Sequence, residues 1–348
     1  SLEELAAHLV QRKEPAYRAR QVWQWLFRRC AVNFTEMTNL SGPLRTRLAE
    51  DFTISRLAVL RQAVSADGTK KFLFGLADGQ TIETVLIPEA KRLTLCISTQ
   101  AGCGFGCAFC ATALLGLKRN LRASEMLDQI LEASRSLVQD QRITHVVLMG
   151  MGEPLANYAE TVKALAVMTD TSWGIGISPR RITLSTVGLV PQIRRLMEET
   201  RVNLAISLHA PTDALRGKLM PVNRKYSLQQ LMECCRSLPI PRRKRITFEY
   251  VLLRGINDSV EDAKALCQLV HDIRCKVNVI PFNPHPGSRY QRPDDSSVER
   301  FQQVAQAHGL QINVRRPRGD DIQAACGQLQ GAELSHRQSE AAVSAVAY

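Results

Sequence analysis

Hydrophobic positions in the first part of the chain repeat with the spacing of helices. Val22, Trp25 and Leu26 fall on one face of a predicted helix, and Leu44 and Leu48 fall on one face of another. The periodicity is broken around residues 39–43, where Asn, Gly and Pro interrupt it. We therefore expect a small helical accessory domain over residues 1–55.

Between residues 57 and 88 the pattern changes to short β-prone runs. The runs LAVLRQAV, KKFLFGLA and TIETVLIP are separated by Asp67-Gly68 and Asp78-Gly79, dipeptides that favour tight hairpin turns. These runs predict a small antiparallel sheet, which together with its linker occupies residues 56–90.

From residue 91 onward, strand-like apolar runs alternate with amphipathic segments. Strands are predicted at LTLCIS, THVVLMG, RRITLST, VNLAISLH, RITFEYVLL and CKVNVIPFN, with a last one at QINVRR. Helices are predicted near 122–138, 158–169, 190–199, 226–237, 259–272 and 296–308. Six such βα units predict a parallel sheet that is closed or partly closed. The expected fold class is α/β, a partial (β/α)6 barrel over residues 91–330, followed by a tail over 331–348.

Composition adds a size and a charge to this picture. The chain has 348 residues, of which 45% are hydrophobic, enough for a large core and an accessory domain. A formal net charge of +12 and a pI near 9.4 favour a polyanionic partner, with nucleic acid preferred over an acidic membrane. The start SLEELAAHLV lacks the features of a signal peptide, and no apolar run could span a bilayer. We therefore expect a cytoplasmic protein without a membrane partner.

A CxxxCxxC motif directly follows the first predicted parallel strand. Its residues Cys103, Cys107 and Cys110 lie close enough in sequence for one loop to hold a metal ion or cluster. A structural zinc site normally closes with a fourth Cys or His at short spacing, whereas the nearest His is His145. Three thiolates on a 4Fe-4S cluster leave one iron open to another ligand. We therefore prefer an iron–sulfur cluster and keep zinc as the alternative.

Further candidate residues, all but one of them polar or glycine, lie at the ends of the predicted parallel strands. Because active sites of βα barrels lie at the carboxyl ends of the strands, these residues are candidates for ligand binding. They are Gly152, Glu153, Ser185, Ser207, Leu208, His209 and Asn283.

The cysteine motif after the first strand of a βα repeat resembles the signature of the radical S-adenosylmethionine (SAM) superfamily. The resemblance implies that the open iron of a 4Fe-4S cluster binds SAM and that an electron cleaves it to a carbon radical. It also implies that the strand-end residues contact SAM, with Gly152 and Glu153 at its amino group.

A more specific resemblance covers nearly the whole chain. The stretches QAGCGFGCAFCATALLGLKRNL, MGMGEPLANY, LAISLHAP, VNVIPFNPHPG and RGDDIQAACGQL resemble the RlmN/Cfr family, the radical SAM adenosine methyltransferases of RNA. The resemblance implies two SAM molecules per turnover, one of which methylates Cys326. It implies that the S-methyl carbon is then joined to adenine and that Glu83 accepts the ring proton. Cys96 then forms a transient disulfide with Cys326 and releases the product.

The same resemblance implies the partners and leaves alternatives open. It implies 23S ribosomal RNA as substrate, tRNA also in some members, and a low-potential reductant such as flavodoxin or ferredoxin; we expect a monomer. MGMGEPLANY and RGDDIQAACGQL look like the branch that methylates C2, although STVG at 185–188 departs from the STSG of that branch. A Cfr-like C8 methyltransferase is the alternative. Alternatives of other classes are a non-catalytic iron–sulfur protein and a basic RNA-binding protein with zinc.

Basic residues are grouped along the chain and predict an RNA-contacting surface that follows phosphates. We expect the aromatic residues Trp23, Trp25 and Phe27 of the first domain to belong to its core. The basic clusters are Arg28-Arg29, Lys118-Arg119, Arg180-Arg181, Arg242-Arg243-Lys244-Arg245 and Arg315-Arg316-Pro317-Arg318.

Overall fold

The computed structural model describes residues 1–138 and 140–331. Its first part is the predicted helical unit, made of helices α1 (Leu2–Gln11), α2 (Tyr17–Phe27) and α3 (Gly42–Asp51). The Ser1 side chain caps α1 by accepting a hydrogen bond from the Glu4 amide. A separate core fills this unit and includes Leu9, Val22 and Leu44. The tail predicted from residue 331 lies outside the described residues, except for its first residue.

In the described part of the chain, ten strands form one continuous sheet, and β5 (Gln100–Gly102) and β6 (Leu117–Asn120) form a separate pair. The strands of the large sheet are β1 (Ala58–Val64), β2 (Lys70–Gly75), β3 (Thr81–Glu89), β4 (Arg92–Cys96), β7 (His145–Leu148), β8 (Ile182–Thr186), β9 (Asn203–Ser207), β10 (Ile246–Leu252), β11 (Cys275–Pro281) and β12 (Ile312–Val314). They lie in chain order, the first four pairing antiparallel with one another, while β4 and β7 to β12 run parallel to one another.

The antiparallel strands predicted over 57–88 are present as β1 to β3, and they extend the parallel sheet at one edge. The join is made by β3, which pairs with β4 so that Val85 lies opposite Cys96. The division of the chain at residues 55, 90 and 330 stays a prediction.

Helices connect successive parallel strands along the chain, as the alternation of apolar patterns predicts. Every helix predicted after residue 91 is found within a few residues of its expected bounds. The helices are α4 (Ala111–Leu114), α5 (Ala123–Arg135), α6 (Tyr158–Thr169), α7 (Val190–Glu199), α8 (Asp213–Leu219), α9 (Leu228–Ser237), α10 (Val260–Val270) and α11 (Asp295–Ala307).

Three short elements near the cysteine motif were not expected from the hydrophobic pattern. A two-stranded sheet pairs β5 (Gln100–Gly102) with β6 (Leu117–Asn120), and α4 begins directly after Cys110. These elements are only three or four residues long, so they carry too little periodicity to be read. They close the cysteine loop against the sheet. Among the helices of residues 1–138 and 140–331, none has the length and apolar character that a bilayer span requires.

Candidate active site

Two adjoining cavities lie at the carboxyl ends of the parallel strands. The first, here called the triad cavity, has a volume of about 160 Å³ and is lined by the three motif cysteines and the ends of β7 to β10. The second, the rim cavity, has a volume of about 390 Å³ and lies between β3, β4 and β7 on one side and β11 and β12 on the other. Cys110, Arg315 and Cys326 line both cavities, so the two spaces share a wall.

The cysteine loop is held in place by backbone hydrogen bonds. The Cys103 amide donates to the carbonyl of Gly116 at 3.0 Å, and the Ala108 amide donates to the carbonyl of Leu219 at 2.9 Å. Gly102 has φ +75°, and a Cβ there would lie 1.9 Å from the Gly116 oxygen. Only glycine therefore allows the β5–β6 pair to close beneath the motif.

Burial raises the pKa of all three motif thiols. The pKa of Cys103 is raised to about 11, and the pKa of Cys107 is raised well above its usual value. The pKa of Cys110 is also raised. Negative charge on Cys110 adds to the shifts of Cys103 and Cys107. Three thiolates in this space therefore require a positively charged group to be stable together.

The arrangement of the thiols fits an iron–sulfur cluster. In residues 1–138 and 140–331, no three His, Cys, Asp or Glu side chains converge closely enough for one metal ion. The three thiols nevertheless surround one cavity, as ligands of a cluster with several irons would. A closed zinc site, the alternative kept above, is not supported by this geometry.

Gly152 and Glu153 lie on the loop after β7, in the wall of the triad cavity. Gly152 has φ +97°, and a Cβ would approach the Gln100 amide nitrogen to 2.7 Å. Glu153 is 2% exposed, and its carboxylate accepts hydrogen bonds from the amides of Leu155 at 3.0 Å and Val187 at 2.7 Å. Burial outweighs these bonds and raises the Glu153 pKa to about 7. A cationic ligand such as the SAM ammonium group would stabilise this buried carboxylate.

The other predicted SAM contacts are divided between the two cavities. Ser185, Ser207 and His209 line the triad cavity, whereas Asn283 lines the rim cavity. Leu208 is fully buried and lines neither cavity.

His209 is held as a neutral side chain at the wall of the triad cavity. Its Nδ1 accepts a hydrogen bond from the Val251 amide at 2.9 Å, which leaves Nε2 as the proton-bearing nitrogen. Burial, and then the positive charge of Arg216, lowers the His209 pKa to about 3. His209 can therefore donate a hydrogen bond to a ligand, but it is a poor base.

Cys96 and Cys326 are brought together although 230 positions separate them in sequence. Both are free thiols and both line the rim cavity. Cys96 is buried at the end of β4, where burial and then the nearby Cys326 raise its pKa to about 12. Cys326 is exposed to the cavity space. The surrounding protein still raises the Cys326 pKa by desolvation, and the positive charge of Arg315 acts in the opposite direction.

The loop that carries Cys326 is fixed to α4 and to the segment that follows β11. The Ala111 amide donates to the Gly327 carbonyl at 2.8 Å, and the Thr112 hydroxyl donates to the Leu329 carbonyl at 2.8 Å. Asn283 donates through Nδ2 to the Cys326 carbonyl at 3.2 Å. These bonds place the Cys326 sulfur in the wall common to the two cavities.

Glu83 is not part of either cavity. It is 1% exposed, and its Oε1 lies 3.0 Å from the Nζ of Lys71. Its Oε2 accepts hydrogen bonds from the amides of Gln330 at 2.7 Å and Gly331 at 3.3 Å. In this structure Glu83 therefore anchors the chain that follows Cys326.

An ion pair between a buried carboxylate and a partly exposed arginine, at the junction of the cavities, was missed in the sequence analysis. Glu249 is 4% exposed, lines the triad cavity and accepts a hydrogen bond from Asn278 through Oε1 at 2.9 Å. Its Oε2 has no hydrogen-bond partner in the described residues and lies 3.7 Å from Arg315. A carboxylate inside the apolar strand ITFEYVL was a signal for this site. Arg315 was assigned only to an RNA-contacting cluster.

Arg216 is a second residue that the sequence analysis missed. It is fully buried, and its guanidinium donates to the carbonyls of Val187 at 2.7 Å, Ser207 at 3.0 Å and Leu208 at 3.2 Å. Arg216 thereby holds together the ends of β8 and β9, which carry predicted ligand contacts.

The basic clusters have different surroundings. Arg119 forms ion pairs with Asp78 and Glu125, so its charge is already neutralised. Arg28 donates to the Gly174 carbonyl at 3.1 Å, which ties α2 to the larger unit. The cluster beginning at Arg315 borders the rim cavity. Of the three aromatic residues expected in the core of the first unit, Trp25 packs on that core, whereas Phe27 packs on the core of the larger unit. Trp23 is partly buried and packs against Phe27 with ring centroids 4.8 Å apart.

Two family models match this chain. Residues 97–267 match the radical SAM superfamily, and residues 1–54 match the ribosomal RNA large subunit methyltransferase N-terminal domain. The superfamily implies a 4Fe-4S cluster and SAM, and the three motif cysteines that would hold the cluster line the triad cavity.

Similar proteins share most of the length of this chain. The dual-specificity RNA methyltransferase RlmN of Desulfosudis oleivorans is 50% identical over 90% of this chain and 84% of its own. The protein of the same name from Syntrophobacter fumaroxidans is 51% identical over 91% of this chain and 92% of its own. A crystal structure of a radical SAM methyltransferase from Sphaerobacter thermophilus matches with a TM-score of 0.91 and 44% identity, covering 95% of this chain and 98% of that one. The chain therefore belongs to the RlmN family of radical SAM RNA methyltransferases.

Proposed function

We propose that this enzyme methylates C2 of an adenosine in 23S ribosomal RNA, and also in tRNA, with Cys326 as the methyl carrier. The observation that carries the proposal is the position of Cys326 in the wall between the triad cavity and the rim cavity. The match of residues 1–54 to a ribosomal RNA methyltransferase domain supports the first substrate, and the dual-specificity relatives support the second. Methylation of C8, as by Cfr, is the alternative product.

In the proposed site, Cys103, Cys107 and Cys110 would hold the 4Fe-4S cluster. SAM would be bound in the triad cavity by the strand-end residues. When bound, the cluster and SAM supply the methyl group and the radical chemistry that an unreactive ring carbon requires. The strand-end residues are Gly152, Glu153, Ser185, Ser207, Leu208, His209 and Asn283, of which Leu208 acts through packing and Asn283 through the Cys326 loop.

The chain's own groups would carry the methyl carbon and move protons. Cys326 loses its proton, and its sulfur forms a bond to the methyl carbon of one SAM molecule as the bond between that carbon and the SAM sulfur breaks. The positive charge of Arg315 favours this step. Once that carbon has lost one hydrogen atom to the SAM-derived radical and is also bonded to adenine, Glu83 accepts the ring proton, and the adduct gives up its one unpaired electron to the bound cluster. The Cys96 sulfur then attacks the Cys326 sulfur, so that an S–S bond forms and the S–C bond breaks. The electron pair of the broken bond stays on carbon, which takes up a proton to become the methyl group.

The disulfide formed in this way must be reduced before another turnover. We propose a low-potential reductant such as flavodoxin or ferredoxin as a partner, which would supply the electron for cleavage of SAM as well as electrons for the disulfide. We also propose that the enzyme acts as a monomer in the cytoplasm, where thiols are kept reduced.

Deuterium-labelled RNA tests the position of methylation. Anaerobically reconstituted enzyme is incubated with SAM and with RNA whose target adenosine carries deuterium at C2 or at C8. We expect mass spectrometry of the digested nucleosides to show methyladenosine that has lost deuterium only from the C2-labelled RNA. Loss of deuterium from the C8-labelled RNA would establish the Cfr-like alternative.

Replacement of Glu83 by glutamine tests its proposed role as proton acceptor. Glutamine keeps a side-chain oxygen for the amides of residues 330 and 331, but it cannot take up a proton. We expect at least about a 100-fold loss of RNA methylation, with methylation of Cys326 retained. Both are measured by mass spectrometry.

Lys71→Gln is the matched control, because it removes the same ion pair and leaves the carboxylate in place. An equal loss of activity in the two variants would show that Glu83 acts only by anchoring the loop. Because Glu83 lines neither cavity here, its proposed role also requires residues 330 and 331 to move away during turnover.

A further inference from the structure

A third cavity lies at the amino ends of β8, β9 and β10, at the opposite edge of the sheet from the candidate active site. Its volume is about 640 Å³, and it is formed by the segments that lead into these three strands. Its basic lining residues, here called the basic groove, are Arg180, Arg201, Arg242, Arg243 and Lys244.

The basic groove concentrates positive charge without neutralising partners. None of its lining residues is acidic. In residues 1–138 and 140–331, none of the five cations forms an ion pair with a carboxylate. The acids nearest in sequence, Glu198 and Glu199, do not line the cavity, and Glu199 is paired with Arg195. Unpaired cations around one concave space attract a polyanion.

The backbone of the basic groove is fixed while its arginine head groups are exposed. Asn203 donates through Nδ2 to the Arg180 carbonyl at 2.8 Å, and Lys244 donates through Nζ to the Arg201 carbonyl. Pro179, Pro239 and Pro241 further restrict the lining segments. The fold therefore sets the backbone positions from which the cationic side chains extend.

We propose that the basic groove binds the phosphate backbone of the RNA substrate at a point remote from the target adenosine. The inference rests on RNA being the substrate. The five residues of β8 separate the basic groove from the triad cavity by about 17 Å at 3.3 Å per residue. Nucleotides beside the target base therefore do not reach the basic groove. A second part of a folded RNA does, so large structured RNA would bind more tightly than an isolated hairpin.

The double variant R242Q/R243Q tests this proposal in the full-length enzyme. Both side chains are exposed, so their replacement should leave the fold intact. The matched control is K264Q/R300Q, which removes two exposed charges from α10 and α11. Binding is measured by fluorescence anisotropy at several salt concentrations, with a tRNA transcript and with the isolated hairpin that carries the target adenosine.

For R242Q/R243Q we expect about tenfold weaker tRNA binding and a salt slope smaller by about 2. Hairpin binding and hairpin methylation should not change, and the control variant should bind tRNA like the unmodified enzyme. Unchanged tRNA binding, or an equal loss in both variants, would overturn the proposal. If the unmodified enzyme fails to methylate the hairpin at C2, the proposed function fails, while the tRNA measurement still decides whether the basic groove binds RNA.

Discussion

Replacement of Cys326 by alanine should lower RNA methylation by at least about 10³-fold, because the methyl group then has no carrier sulfur. Intact-protein mass spectrometry should show one added methyl group on the unmodified enzyme and none on the variant. The variant should fold and bind RNA normally, since Cys326 is exposed to the cavities and fills no core position. The loss would therefore lie in the chemical step.

Cys30→Ala is the matched control for this experiment. Cys30 is also a free cysteine that is not fully buried, but it lines neither the triad cavity nor the rim cavity. This variant should retain methylation of both Cys326 and RNA. Continued RNA methylation by Cys326→Ala would refute the carrier mechanism, although membership of the family would stand.

The parallel sheet could be predicted because its strands are almost continuous apolar runs, which can be recognised in the sequence. All seven residues of β10 are buried, and the helices between the strands repeat apolar positions at helical spacing. The cysteine motif could be found for a similar reason, because its three ligands lie within one loop. Features of this kind depend only on residues that are close together in sequence, so they can be predicted from the sequence.

The meeting of Cys96 and Cys326 could not be derived from such patterns. The two thiols come together because the sheet curves until β11 and β12 face β3 and β4 across the rim cavity. That curvature depends on packing over the whole domain, so only the resemblance to a known family linked these residues. The ion pair between Glu249 and Arg315 was not predicted for the same reason, because Glu249 lies in β10 and Arg315 lies after β12.

The basic clusters show a different limit. In sequence, Lys118-Arg119 looked equivalent to Arg242-Arg243, yet Arg119 is neutralised by two carboxylates and the other pair lies in the basic groove. Charge in sequence does not reveal which cations have found partners. The structure distinguishes cations that form ion pairs within the protein from cations that are available to bind a polyanion.

The free energy of ligand binding at the triad cavity is expected to come partly from relief of unfavourable burial. Glu153 has a pKa raised to about 7, and the Oε2 of Glu249 accepts no hydrogen bond from the described residues, with Arg315 3.7 Å away. A cationic or hydrogen-bonding ligand would satisfy these groups, whereas water-filled space satisfies them less well. Burial of these carboxylates raises the free energy of the protein without ligand, and it thus favours the ligand-bound state.

Replacement of Cys96 by alanine should trap the enzyme in a covalent complex with RNA. In the proposed sequence the methyl carbon bridges Cys326 and adenine until the Cys96 sulfur attacks, so without that sulfur the bridge persists. We expect a labelled RNA band that migrates with the protein on a denaturing gel, and at least about a 10³-fold loss of free methylated RNA. Nuclease and protease digestion should leave a nucleotide attached to the peptide that contains Cys326.

Two further variants decide how this result is interpreted. C96A/C326A should form no adduct, because the sulfur that carries the carbon is gone. Cys234→Ala, which removes a buried cysteine that lines neither active-site cavity, should release methylated RNA normally. Release of methylated RNA by Cys96→Ala at the normal rate would show that another group resolves the bridge. The nearness of Cys96 to Cys326 across the rim cavity would then have no role in the reaction.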